Sequence, residues 1–176
     1  MRIEPWTPAR APRDTELVAA IEARRGGALL NLDRMLLWSE PLARGWNVYL
    51  RALRQELSLS QFVRELAICV VARLTGAEYE FHHHAPELRK AGATGAQLAA
   101  LGDPDAAATS DSFDDLQRAV IRFAIASTRD VQIPDSVFNS LKQHLSPQEM
   151  VELTAVTAAY NMVARLLVAL EVKPER

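Results

Sequence analysis

The sequence predicts an all-α fold of seven or eight helices in a chain of 176 residues. Three observations favour this fold class. Apolar residues recur nearly throughout at the three- and four-residue spacing of helices. No run of strictly alternating polar and apolar residues is flanked by hairpin turns. Only seven glycines and nine prolines interrupt the chain, which argues against a loop-rich or disordered protein.

Capping residues and glycines give the approximate bounds of each element. Thr15 begins the first helix, and Gly26 with Gly27 ends it. Pro41, in a first turn, and Ser60, at an N-cap, begin two longer helices. The expected helices, in chain order, are 15–25, 39–57, 60–75, 77–91, 94–101, 113–127, 134–144 and 146–170, and 29–38 is a short apolar segment.

Three further signals complete the assignment of the elements. Pro86 is expected to kink or restart its helix, because proline lacks the amide proton that the helical ladder needs. Residues 102–112 are small and polar, and they are expected to be the one clear loop. Ser146 and Glu149 form a capping box around Pro147, which predicts the start of a long final helix.

Composition is that of an ordinary globular protein, with 49% hydrophobic and 24% charged residues. A net charge of -2 gives no electrostatic case for binding nucleic acid or an anionic membrane surface. The single cysteine, Cys69, cannot form an internal disulfide, so no oxidising compartment is indicated. We expect Cys69 to be an inert core residue, which is the usual fate of a lone cysteine on an apolar helix.

The N-terminus carries no apolar core of the kind that secretory signals have. Residues 1–13, with three prolines and three arginines, are interpreted as an extended arm, and residues 14–176 as one helical domain. The longest apolar stretch, 162–170, is interrupted by Arg165 and is too short to span a bilayer. The expected location is therefore cytoplasmic.

The segment 76–84 is the most informative part of the chain. It holds three of the four histidines, beside Glu78 and Glu80. On a helix, Glu80 and His84 are four residues apart on one face and within reach of each other. A carboxylate beside an imidazole can move a proton near neutral pH. This segment therefore predicts acid–base chemistry.

Several short stretches keep a recognisable order and spacing along most of the chain. They are 30–36, 39–41, 64–68, 76–84, 91–92, 113–120 and 160–165. This order resembles the carboxymuconolactone decarboxylase family, which includes the alkyl hydroperoxidase D-like proteins. The resemblance implies an orthogonal helical bundle and a homo-oligomer, either a dimer, a trimer or a hexamer. Trp38, Trp46 and Leu50 would suit a subunit interface, although core packing explains them equally well.

The redox members of this family carry a glutamate, then two cysteines separated by two residues, then a histidine. Placed on this chain, the glutamate falls on Glu65 and the histidine on His84, while the two cysteine positions fall on Ala77 and Glu80. Peroxide reduction of this type requires a thiolate nucleophile and a resolving thiol. Because both thiols are missing, the resemblance does not extend to thiol peroxidase chemistry.

The resemblance implies that Glu65, Glu80 and His84 are catalytic and form a proton relay. The competing interpretation is a structural ion-pair cluster between two helices, since buried charges are paired for either purpose. Tyr79 and His83 are interpreted as substrate-binding residues at the edge of the site, although a core tyrosine with a satisfied hydroxyl is an alternative. His82 is expected to face solvent or a subunit interface.

Arg165 is the preferred arginine for a substrate carboxylate, because an arginine in an apolar run needs an anionic partner. A metal site is the sharper alternative for the cluster, with Glu65, Glu80, His84 and His83 as ligands. Only one motif with ligand spacing is visible, so no metal and no cofactor are assigned. Asp33 and Arg34 are interpreted as solvated or capping residues.

The favoured function is a cofactor-free decarboxylation of a small organic acid through a Glu–His relay. Two alternatives remain open at this level, a peroxidase-related antioxidant protein and a non-catalytic oligomer that binds a ligand. The expected partner is a small-molecule substrate, with neither nucleic acid nor membrane.

Overall fold

The computed structural model describes residues 1–11 and 13–175, and within these ranges the chain is α-helical with no β-strand. The helices are α1 (Thr15–Arg25), α2 (Asn31–Leu36), α3 (Glu40–Gln55), α4 (Gln61–Thr75), α5 (Glu78–Lys90), α6 (Gly95–Ala100), α7 (Pro104–Ala107), α8 (Asp115–Arg129), α9 (Asp135–Lys142) and α10 (Pro147–Ala169). The all-α prediction is confirmed, but the described residues contain ten helices and not seven or eight.

The two missed elements have local causes. α7 lies inside the segment 102–112 that was expected to be a loop, where Asp103 accepts hydrogen bonds from the amides of Asp105 and Ala106 and Pro104 occupies the first turn. α2 is a separate short helix, because Leu37 and the following turn end it before α3 begins.

Pro86 does not divide α5, which is continuous from Glu78 to Lys90. A proline inside a helix removes the hydrogen bond to the carbonyl four residues earlier, here that of His82. His82 and Pro86 both lie on the exposed side of α5, where water can hydrate the carbonyl that proline leaves without a partner. The expected restart is therefore wrong, and the expected kink stays a prediction.

The chain divides into two compact units. The first comprises Met1–Leu57 with the C-terminal residues from Ala169, and the second comprises Ser58–Val168. The division of the sequence into an arm over 1–13 and a domain over 14–176 stays a prediction.

The first unit is built on α1, α2 and α3. Trp46 and Leu50 are buried in its core, so core packing explains these two side chains without a subunit interface. Trp38 is 37% exposed. Trp6 is also buried, and its indole nitrogen donates to the carbonyl of Ala11. α3 presents a polar and an apolar face, which is the pattern of a helix packed on one side.

Asp33 is buried in the first unit, and the expectation that it is solvated is wrong. Its carboxylate accepts two hydrogen bonds from Arg25, at 2.9 Å each, and one from Arg24 at 3.3 Å. The same carboxylate accepts the amide of Leu30 at the start of α2, so the capping part of the interpretation is confirmed. The ion pair thus joins α1 to the beginning of α2.

The second unit is organised around α4. Ser60 accepts the amide of Val63 at the N-terminus of α4, and Gly76 adopts the left-handed conformation that ends it, with φ of 68°. Residues 65–72 of α4 are buried without interruption, and the helix packs against α5 and α8. A helix buried on all sides is a core helix, and α4 thus fixes the position of any polar side chain that it carries.

Glu152 on α10 holds the start of α4 within the second unit. Its carboxylate accepts hydrogen bonds from the backbone amide of Leu59 at 2.7 Å, the hydroxyl of Ser58 at 3.0 Å and the amide of Gln148 at 2.9 Å. Burial by itself would raise the pKa of Glu152, but the hydrogen bonds from Gln148, Leu59 and Ser58 outweigh it and lower the pKa.

We expect Glu152→Ala to lower the free energy of unfolding by about 1–3 kcal/mol, because the buried Leu59 amide loses its acceptor. Chemical denaturation at neutral pH measures the change. The matched control is Val151→Ala, which truncates the neighbouring exposed side chain of the same helix and should leave the unfolding midpoint nearly unchanged. Equal stability of the two variants would contradict the role of Glu152.

α10 is long and apolar enough, by length and composition alone, to cross a membrane. Residues 162–169 of the apolar stretch 162–170, which is too short by itself to span a bilayer, belong to this longer helix. More than half of its most apolar window is buried within the protein, as is also the case for core helices in general. The helix supplies Tyr160 to the candidate site described below.

Candidate functional site

A buried carboxylate–imidazole pair joins α4 to α5. The Oε2 atom of Glu65 lies 2.6 Å from Nδ1 of His84, although the two residues are 19 positions apart in sequence. Only 2% of Glu65 and 5% of His84 is exposed. At this distance and burial, the contact is a strong hydrogen bond that fixes both the tautomer and the orientation of the imidazole.

Two further side chains complete the surroundings of this pair. Arg64 places Nε 3.3 Å from the other carboxylate oxygen of Glu65, and its side chain is nearly buried. The ring of His84 contacts Tyr160 of α10 edge to face, with a centroid separation of 4.8 Å. The imidazole is thus held by a carboxylate at one ring nitrogen and by an aromatic ring, so its Nε2 atom has a defined direction.

Glu80 lies one helical turn before His84 but does not bind it. Only 2% of Glu80 is exposed, and neither carboxyl oxygen has a hydrogen-bond partner. The expectation that Glu80 contacts the imidazole is therefore corrected, because Glu65 occupies that position. Burial raises the pKa of Glu80 well above its ordinary value, which favours the protonated form of this carboxyl group.

Cys69 lies in the core of α4, as expected for an inert cysteine, and is fully buried. Burial, followed by the negative charge of Glu65, raises the pKa of the Cys69 thiol far above its ordinary value. A thiol in this state is almost never ionised at neutral pH and is a poor nucleophile.

Tyr79 and His83 form a second aromatic contact on α5. Tyr79 is buried, His83 is half-buried, and their rings are 4.5 Å apart. His82 is exposed, as predicted, and its ring touches the edge of His83. The assignment of Tyr79 and His83 to substrate binding stays a prediction.

Arg165 is exposed on α10, and its guanidinium donates to the backbone and side-chain oxygens of Asn161, at 2.9 Å each. The expectation that Arg165 needs an anionic partner depended on its being buried, and Arg165 is exposed. Its role in binding a substrate carboxylate stays a prediction, and its exposed position does not support it. Arg64, in direct contact with Glu65, is the arginine that the structure brings to the pair.

The sequence also missed two contacts near the site. Tyr160 was used only as part of a resemblance, and nothing in the sequence indicates that it meets His84. Arg73 stacks on Phe81, with its guanidinium carbon 3.5 Å from the ring centroid. The residues are eight apart and lie on α4 and α5, so only the packing of those helices brings them together.

The alternative of a metal site required a set of converging ligands. Within residues 1–11 and 13–175, no group of three or more histidine, cysteine, aspartate or glutamate side chains is arranged to hold a metal ion. Glu65 and His84 use Oε2 and Nδ1 for their mutual contact.

Comparisons with known proteins agree with this architecture. The family model described as the carboxymuconolactone decarboxylase family matches residues 40–112. No protein of curated function matches the sequence.

Solved structures share the fold at low sequence identity. A peroxidase-related protein with an alkylhydroperoxidase AhpD core, from Ralstonia eutropha JMP134, is 18% identical with a TM-score of 0.81, covering 99% of this chain and 92% of its own. A peroxidase-related protein from Silicibacter sp. TM1040 is 18% identical with a TM-score of 0.76, covering 99% and 89% of the two chains.

A third similar structure is an alanine variant of the debrominase Bmp8 in complex with 2,3,4-tribromopyrrole. It is 18% identical with a TM-score of 0.79, and the match covers 99% of this chain and 92% of the other. At such identity, the three structures establish the fold of this chain but not its activity.

Proposed function

Because residues 40–112 belong to the carboxymuconolactone decarboxylase family and the whole chain has the alkyl hydroperoxidase D-like fold, we propose that it is a cofactor-free decarboxylase of a small organic acid. The observation that supports the proposal is the buried pair of Glu65 and His84. It supplies a proton donor of fixed direction in surroundings from which water is largely excluded.

The reaction class is the loss of CO₂ from an acid whose carboxyl-bearing carbon is attached to a carbonyl group, directly or through a carbon–carbon double bond. The bond to the carboxylate breaks, CO₂ leaves, and the electron pair of that bond remains on the organic fragment as an enolate or dienolate. His84, as an imidazolium held at Nδ1 by the carboxylate of Glu65, delivers the proton of Nε2 to carbon. Water returns the proton to the imidazole after the product leaves.

Incubation of the protein with carboxymuconolactone and related lactone acids in D₂O tests this proposal. The expected result is release of CO₂ and one deuterium atom per product molecule, at the carbon that the enolate protonates. Mass spectrometry measures both. Failure to release CO₂ from every lactone acid of this class would overturn the proposal.

A thiol peroxidase activity, suggested by the description of two similar structures as peroxidase-related, has little chemical support in this chain. Ala77 and Glu80 stand where the redox members have cysteines, and Cys69 is buried with a raised pKa. Peroxide consumption by the wild type that disappears in Cys69→Ser would restore this alternative.

The second candidate function is a non-catalytic oligomer that binds a ligand or a second copy of the chain. Near-complete burial of Glu65 and His84 favours it, since a buried pair of this kind can also serve only as a structural contact between two helices. It predicts no CO₂ release, whereas analytical ultracentrifugation would show an assembly under the same conditions. The homo-oligomer, the small-molecule partner and the cytoplasmic location all remain proposals.

A further inference from the structure

Glu80 is a buried acid that makes no capping hydrogen bond in its own helix. It is the third residue of α5, the position from which a glutamate or glutamine normally reaches back to the N-cap amide. Gln97 in α6 and Gln117 in α8 do so in this chain. At α5, the N-cap amide of Ala77 is instead bonded to the carbonyl of Ala72, so Glu80 has no local role.

The carboxyl group of Glu80 is directed into the protein and not toward water. It is 2% exposed, and neither oxygen has a hydrogen-bond partner. An unsatisfied buried polar group costs about 1–3 kcal/mol of stability, so one that persists without a structural function points to a role in ligand binding.

The surroundings of Glu80 belong to the same part of the protein as the catalytic pair. His84 follows one turn later on α5, about 5–6 Å away between Cβ atoms. Glu65, Glu80 and Arg73 all lie close enough to Cys69 of α4 to influence the pKa of its thiol, so these groups share one region of the protein. Neither carboxyl oxygen of Glu80 receives a hydrogen bond from any of them.

Two carboxyl groups in this region, those of Glu65 and Glu80, thus differ in their tendency to hold a proton. Glu65 accepts hydrogen bonds from Arg64 and from the imidazole, as a carboxylate does. No donor reaches either carboxyl oxygen of Glu80, and burial raises its pKa. Both observations favour the protonated form, which can donate a hydrogen bond. Paired acids whose surroundings separate their protonation states commonly have distinct roles in a reaction.

We propose that Glu80 is a neutral hydrogen-bond donor to the substrate oxygen that becomes negative when CO₂ leaves. This inference rests on the proposed decarboxylation and deepens it. The carboxyl proton of Glu80 stays on Glu80 throughout, while the carbon receives its proton from His84. The electron pair of the broken carbon–carbon bond is delocalised onto the carbonyl oxygen that Glu80 contacts.

The proposal narrows the substrate class. The acid must carry a carbonyl group attached to the carbon that loses CO₂, directly as in β-keto acids or through a double bond as in unsaturated lactone acids. An acid without such an oxygen offers nothing for Glu80 to bind and should not react.

Three substitutions separate the possible roles of Glu80. Glu80→Gln keeps a neutral donor of similar size, Glu80→Leu removes the donor, and Glu78→Gln is the matched control on the exposed side of the same turn. We expect Glu80→Gln to retain kcat within about tenfold and Glu80→Leu to lose roughly 10²–10³-fold. A Glu80→Gln variant as inactive as Glu80→Leu would overturn the proposal, because Glu80 would then be transferring its proton.

A binding measurement tests whether Glu80 donates a hydrogen bond to an anionic oxygen, independently of any decarboxylase activity. The probe is 4-nitrophenolate, whose single anionic oxygen resembles that of an enolate and whose absorbance reports binding. Wild type, Glu80→Gln and Glu78→Gln should bind it with similar affinity, and Glu80→Leu at least tenfold more weakly. Equal affinity of Glu80→Leu, or no binding by the wild type, would overturn this inference, whereas a failed CO₂ assay alone would overturn only the proposed function.

Discussion

His84→Gln is expected to lower kcat for CO₂ release by about 10²–10⁴-fold, the usual contribution of a positioned general acid. Glutamine is the informative replacement because its amide can still donate to the buried Glu65 carboxylate, which alanine would leave without this partner. Steady-state kinetics with a lactone acid, together with a thermal unfolding curve, separate lost chemistry from lost structure.

The control for this experiment is the neighbouring histidine. His82→Gln makes the same chemical change on the exposed side of α5 and should leave kcat unaltered. If His84→Gln turned over the lactone acid at the wild-type rate, the imidazole would have no part in the reaction. The pair of Glu65 and His84 would then be a structural contact.

Asp33→Asn is expected to lower the free energy of unfolding by about 3–5 kcal/mol, because it leaves Arg24 and Arg25 buried without their carboxylate. Asparagine has nearly the same volume, and its side-chain oxygen can still accept the amide of Leu30. The substitution therefore isolates the loss of negative charge. Denaturation with urea measures the effect.

Asp105→Asn is the matched control for the effect of burial. Asp105 also receives two hydrogen bonds from one arginine, Arg129, at 2.8 Å each, but 60% of the Asp105 side chain is exposed against 1% for Asp33. Water screens the exposed pair, so its loss should change the unfolding midpoint little. If the two substitutions had equal effects, burial would not be the source of the stability of the Asp33 cluster.

Much of the helical architecture could be predicted because its signals are local. Ser60 and Gly76 bound α4 through capping contacts that involve residues at most five positions away, and the sequence placed both ends correctly. Local signals fail where they are brief or compete with one another. The Asp103–Pro104 pair that begins the four residues of α7 resembles a loop, and Pro86 resembles a helix break although α5 continues through it.

The sequence predicted which residues form the site but not which of them bind each other. Helical spacing placed Glu80 and His84 on one face, and both are indeed buried. Spacing cannot say which acid reaches the imidazole, because side-chain direction and the neighbouring helix decide it. Asp33 illustrates the same limit, since its partners come from α1 and its burial depends on how that helix packs.

The sequence by itself determined that the chain is helical. It also determined that Ala77 and Glu80 stand at the two positions where the redox members of the similar family have cysteines. No fold can place a thiol at a position where the sequence has none. Only the tertiary structure decided that Glu65 binds His84 and that Glu80 is buried without a hydrogen-bond partner, with a raised pKa. The physical reason is that the protonation state of an acid depends on its burial and its partners, which here are set by the packing of α4 against α5.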